Sequence, residues 1–99
     1  MEPFLISKVE DIVRITGRPL YVFPGLPKGG PLNPIRAGEQ IELRRPDGTF
    51  LKTNLAGIEH AKGLDGKSHW PLGLPPDITE ADVPIGTEIW WTALGVNAL

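Results

Sequence analysis

Eleven prolines stand in 99 residues, at positions 3, 19, 24, 27, 31, 34, 46, 71, 75, 76 and 84. An interior proline removes a backbone donor and costs an α-helix about 3 kcal/mol, so no window of this chain suits a long helix. Twelve glycines punctuate the sequence further. What remains are short runs rich in β-branched and aromatic residues, separated by turn residues. That pattern reads as all-β, a sandwich or a small barrel.

The run Phe4–Ile15 is read as a first strand because Val9, Ile12, Val13 and Ile15 are β-branched, with Leu5, Val9, Val13 and Ile15 sharing one face. Ser7 and Asp11 interrupt that apolar face, which predicts a bulge. Thr16-Gly17 then supplies a turn, and Leu20–Phe23 is a short second strand held between Pro19 and Pro24. The stretch Pro24–Pro34 pairs little, for lack of donors, and is expected to form a recognition loop. Gln40–Arg44 alternates cleanly, with Ile41 and Leu43 inward. Arg45-Pro46-Asp47-Gly48 is turn chemistry and predicts a hairpin to a strand over Thr49–Glu59. Further on, Gly63–Lys67 reads as a loop and His69–Leu74 as a strand broken by Pro71. Thr79–Asp82 has capping-box spacing, and Thr87–Leu94 reads as the last strand. Because neighbouring strand residues face opposite ways, only one of Trp90 and Trp91 can enter the core.

Charge and composition narrow the function. The formal net charge is −2, with 40% apolar residues, which suits one globular domain over residues 1–99 and argues against a protein devoted to wrapping phosphate. The first half of the chain carries a slight basic excess, from Arg14, Arg18, Lys28, Arg36, Arg44 and Arg45; the second half is acidic. No cysteine is present, so disulfides and thiolate metal sites are excluded. No apolar run is long enough to cross a bilayer and the N-terminus lacks signal-peptide character, so a cytoplasmic location is expected. His60 and His69 lie nine residues apart, a spacing that matches no helix-based ligand pattern, so neither a metal nor another cofactor is expected. Ser68-His69 does not make a nucleophile–base pair either, since adjacent strand residues point apart. No complete Gly-x-x-x-x-Gly-Lys-Ser/Thr phosphate loop is present, Ala61 standing where its first glycine would be, so nucleotide hydrolysis is not expected and a non-enzyme is.

Several segments, in order, resemble the second domain of the translational GTPases, the β-barrel of elongation factor Tu and its relatives. Pro3-Phe4-Leu5-Ile6 followed by Val9-Glu10-Asp11-Ile12-Val13-Arg14-Ile15-Thr16-Gly17-Arg18 resembles that family's first strand and its ITGR corner. Pro34–Leu43 resembles the segment in which a glycine precedes the third strand. Leu55-Ala56-Gly57-Ile58-Glu59 resembles the GVE or GIE motif, and Asp77-Ile78 through Ile85-Gly86 resembles the closing stretch. The likeness covers about residues 3 to 90. It implies a small closed antiparallel β-barrel, free-standing without its GTPase domain. Since the family's barrel holds the aminoacylated end of tRNA and touches ribosomal RNA, the likeness implies RNA-binding positions at Asp11, Val13, Ile15, Gly17, Arg18 and Glu59. The chain departs from the family at Pro19, Tyr21, Phe23, Pro24 and Trp70-Pro71, which place bulk where the aminoacyl end lies.

Two functional expectations follow. The first is a binding module that recognises an unknown protein partner, linked to translation, through the Pro-rich loop and exposed aromatics: Phe23, Trp90 and Trp91. The second is RNA binding, to a tRNA acceptor end or rRNA, through the positions that the resemblance marks.

Overall fold

The computed structural model describes residues 3–26 and 35–92. Nine strands are present among these residues: β1 (Phe4–Lys8), β2 (Asp11–Arg14), β3 (Leu20–Leu26), β4 (Gln40–Arg44), β5 (Phe50–Asn54), β6 (Gly57–Ile58), β7 (Ala61–Lys62), β8 (Ser68–Leu74) and β9 (Glu88–Trp91). They form two antiparallel sheets. The first has the order β1-β9-β4-β5; the second has the order β2-β3-β8-β6, with β7 also pairing β8. A single 3₁₀ turn, Glu80–Asp82, sits where the capping-box spacing predicts one helical turn. The Asp82 carboxylate accepts from the Thr79 N–H (2.8 Å) and hydroxyl (3.1 Å). No helix among the described residues is long and apolar enough to cross a membrane.

Two runs that read as single strands each divide between the sheets. In Phe4–Ile15 the division falls at Val9-Glu10: the Val9 N–H donates to Thr87, next to the first sheet, and the Glu10 N–H donates to Phe23, in the second, both at 2.8 Å. In Thr49–Glu59 it falls at Leu55-Ala56, where the Leu55 N–H donates to Glu39 (2.9 Å) and the Ala56 N–H to Gly73 (2.8 Å). Every donor stays satisfied through the bend, which is how a chain turns a corner between packed sheets. Among the described residues, no ladder closes either sheet on itself.

A register shift falls between Leu5 and Ser7, where polar Ser7 predicts a bulge, and with the corner it changes the inward face expected for the first run, of which Val9 alone is buried. Ile6 and Val9 are buried and Ile12 packs on the core, while Leu5 and Ile15 are exposed. Pro24 and Pro71 do not end their strands. They fall in the same gap of the β3–β8 ladder, between Val22↔Leu72 and Gly25↔Trp70, where the register already shifts. A proline in a bulge removes no ladder bond. The last strand ends at Trp91, and positions 93 and 94 of the expected strand lie outside the described residues, as do residues 27–34 of the Pro-rich loop.

The hairpin β4–β5 follows its sequence. Gly48 takes φ +92° and donates to the Arg45 carbonyl at 3.0 Å, and Asp47 accepts from the Thr49 backbone and hydroxyl. Ile41 and Leu43 are fully buried and share one core with Leu20, Val22, Leu72 and Leu74 of the other sheet and Ile89 of the neighbouring strand. Each such side chain contributes roughly 1.5–3 kcal/mol relative to exposure. The row Ile12–Val22–Leu72–Ile58 crosses the second sheet on this inner side, so the next row, Val13–Tyr21–Gly73–Gly57, faces outward.

Candidate functional site

The outward row of the second sheet ends in two glycines, which leave a floor without side chains. Tyr21 lies across it. A Cβ built on Gly73 would stand 3.3 Å from the Tyr21 ring and 3.3 Å from Pro19. This cover leaves Tyr21 only 8% exposed although it points away from the core. Its hydroxyl donates to Glu59 Oε1 at 3.3 Å, and Arg18 Nη2 donates to the same oxygen at 3.0 Å. The Glu59 backbone is fixed by its own N–H, which donates to the Pro71 carbonyl at 3.1 Å.

Around this polar centre stand Val13, Ile15, Phe23, His60, Ala61 and Pro71, and together they enclose an open concavity of about 190 Å³. Ile15 is 50% exposed on its rim. The Tyr21 oxygen, then the Glu59 carboxylate, hold the Arg18 guanidinium above its ordinary pKa, and an arginine is a cation at any working pH. Glu59 Oε2 has no hydrogen bond among the described residues. The arrangement offers one unused acceptor and a fixed cation inside an apolar ring.

Of the positions implied by the resemblance, Val13, Ile15, Arg18 and Glu59 meet in this concavity, and Phe23 joins them. Gly17 does not line this concavity. It takes φ +79° in the turn where the Arg18 N–H donates to the Ile15 carbonyl (2.9 Å), and so sets the direction from which Arg18 arrives. Asp11 does not join either: its carboxylate accepts from the Ile12 N–H at 2.9 Å, and its side chain lies outside the ring.

The tryptophans separate. Trp90 is half-buried on the first sheet, with the Arg44 guanidinium 4.3 Å from its ring centroid and its Nε1 donating to Glu88 at 3.0 Å. Trp91 is 4% exposed and belongs to the core, so its place in a surface interface is withdrawn. The alternation of β9 sends one residue of the pair inward, and Trp91 is that residue. His60 and His69 also have separate surroundings. His60 packs against Trp70 with ring centroids 5.2 Å apart, and His69 Nε2 lies 3.6 Å from Asp65.

Tyr21, His60, Ala61 and Pro71 belong to the site and were not marked by any motif. Tyr21 and Glu59 are 38 positions apart, so no local pattern in the sequence couples them. Comparisons of the chain with protein-family models, with curated proteins and with solved structures return no match.

Proposed function

We propose that this protein is a non-catalytic binding module that recognises a protein partner through the outer face of its second sheet. The observation that supports this reading is the ring of Val13, Ile15 and Phe23 around the bonded Arg18–Glu59–Tyr21 centre. Arginine and tyrosine amid apolar side chains are the composition of interface hot spots. The charge favours protein over nucleic acid: the chain is net −2, and the two arginines nearest the site already face carboxylates. Arg18 meets Glu59 at 3.0 Å, and Arg14 meets Glu80 at 3.9 Å. Phosphate recognition needs unspent cations.

The resemblance to the second domain of elongation factor Tu supports the finer parts of the proposal: a closed barrel, a cytoplasmic location and a partner linked to translation. A second reading is favoured by the unused Oε2 of Glu59, since a carboxylate accepts from the amino group of a base. On that reading the concavity takes the end of an RNA, a tRNA acceptor end or rRNA.

The two readings separate in an amide NMR titration with a short RNA hairpin ending in CCA, at low and moderate salt. On the protein reading the amides of Val13, Ile15, Arg18 and Glu59 stay in place. Shifts confined to them and fading with salt would transfer the proposal to RNA. In parallel, partners captured on the wild-type protein are expected to be lost on Ile15→Asp and retained on Trp90→Ala. A partner held equally by Ile15→Asp would remove this face from the proposal.

A further inference from the structure

The concavity on the second sheet has a polar centre whose two charges are already joined. Arg18 Nη2 donates to Glu59 Oε1 at 3.0 Å, and the Tyr21 hydroxyl donates to the same oxygen at 3.3 Å. Among the described residues nothing donates to Glu59 Oε2, and the Arg18 guanidinium donates to no second acceptor. A guanidinium carries several N–H donors, so most of them remain unused. The centre therefore presents an acceptor beside a donor, with no net charge. The two side chains are 54% and 47% exposed, so a partner can reach both.

Space and charge together restrict what can sit there. The walls are apolar, from Val13, Ile15, Phe23 and Pro71, and the volume is about 190 Å³. That is about six times the share of one water in the liquid, room for the end of a single side chain. A side chain that covers the centre takes both charged residues out of water, and each then needs a counterpart. A carboxylate suits Arg18 and is repelled by Glu59; an ammonium suits Glu59 and is repelled by Arg18. An apolar group satisfies neither. A primary carboxamide is uncharged and carries an N–H and a C=O on one edge, so it serves both.

We propose that the partner's anchor in this concavity is a glutamine side chain, an inference that rests on the reading of this face as a protein-recognition site. Its carboxamide N–H donates to Glu59 Oε2, and its carbonyl accepts from the Arg18 guanidinium. Its methylenes lie against Val13, Ile15 and Phe23. Glutamine suits these walls better than asparagine, having one more methylene to bury.

Amide NMR titrations with N-acetylglutamine methylamide and its glutamate, lysine and methionine counterparts test this, because all four compounds share one backbone. The glutamine compound is expected to shift the amides of Val13, Ile15, Arg18 and Glu59, and to bind at least about fivefold more tightly than the other three. Glu59→Gln leaves the Arg18 charge unbalanced, so the preference is expected to move to the glutamate compound. A methionine compound that binds as tightly as the glutamine one would overturn the carboxamide while leaving the face an apolar anchor site. Unmoved amides with all four compounds, or an unchanged order of preference in Glu59→Gln, would also overturn the proposal. The reading of the face itself fails by a different result, capture of partners by Ile15→Asp.

Discussion

At Gly25 the backbone of β3 passes so close to β8 that a methyl group has no room. An added Cβ would stand 1.8 Å from the Trp70 carbonyl oxygen, and φ is +82°. Gly25→Ala is therefore expected to cost more than about 3 kcal/mol, or to prevent folding, because neither strand can shift without breaking the ladder. Gly17 has a similar φ, +79°, but open space around its Cα. Gly17→Ala meets only the left-handed penalty, roughly 1–2 kcal/mol. Urea unfolding of the two variants separates close approach from backbone conformation, and equal losses would refute the distinction. None of this is visible in the sequence, where both residues are simply glycines beside turn signals. The fate of Trp90 and Trp91 was half visible: strand alternation requires that they part, but which one enters the core depends on a register with Ile41 and Glu42 that only the pairing fixes.

Elements were legible where their cause is local. The β4–β5 hairpin follows from Pro46, Asp47 and Gly48, and the bounds and inward face of β4 agree with the alternation of Gln40–Arg44, while β5 stops at Asn54, short of the expected Glu59. The two sheet-switching strands were not legible, because Val9-Glu10 and Leu55-Ala56 contain neither glycine nor proline to mark the bend. What bends them is bonding to different sheets, through partners as distant in sequence as Thr87. The 3₁₀ turn shows how one local motif gains a tertiary role. Asp82 holds Thr79, and Arg45 from the hairpin turn reaches the same residue, its Nη1 donating to the Asp82 carbonyl at 3.1 Å and lying 3.9 Å from the Asp82 carboxylate. Asp82→Ala is expected to destabilise by about 1 kcal/mol, the usual effect of losing a capping carboxylate. Arg45→Ala in the Asp82→Ala background should then cost less than it does alone, a coupling that a double-mutant cycle measures. Strict additivity would mean that the Asp82 carboxylate does not couple to Arg45.

Across the whole molecule, three carboxylates share one electrostatic circumstance although they stand in three different turns. Asp47 is held below the ordinary aspartate range by the Thr49 hydroxyl and backbone N–H; Asp65, chiefly by the Lys67 N–H; Asp82, by the Thr79 N–H and hydroxyl, with Arg45 nearby. In each case the folded state favours the ionised form, so the unfolded chain binds more protons as the pH falls below the unfolded value of about 3.9. The contribution of these groups is complete above that pH and disappears as the pH drops through their folded values. The urea midpoint is therefore expected to fall as the pH drops below about 4. The triple variant Asp47→Asn/Asp65→Asn/Asp82→Asn should start from a lower midpoint at neutral pH and lose less of it on acidification. All three carboxylates are solvent-exposed, so salt weakens but does not abolish the difference, because hydrogen bonds to fixed N–H groups dominate over ion pairing. The same fall in wild type and triple variant would place the acid sensitivity outside these three turns.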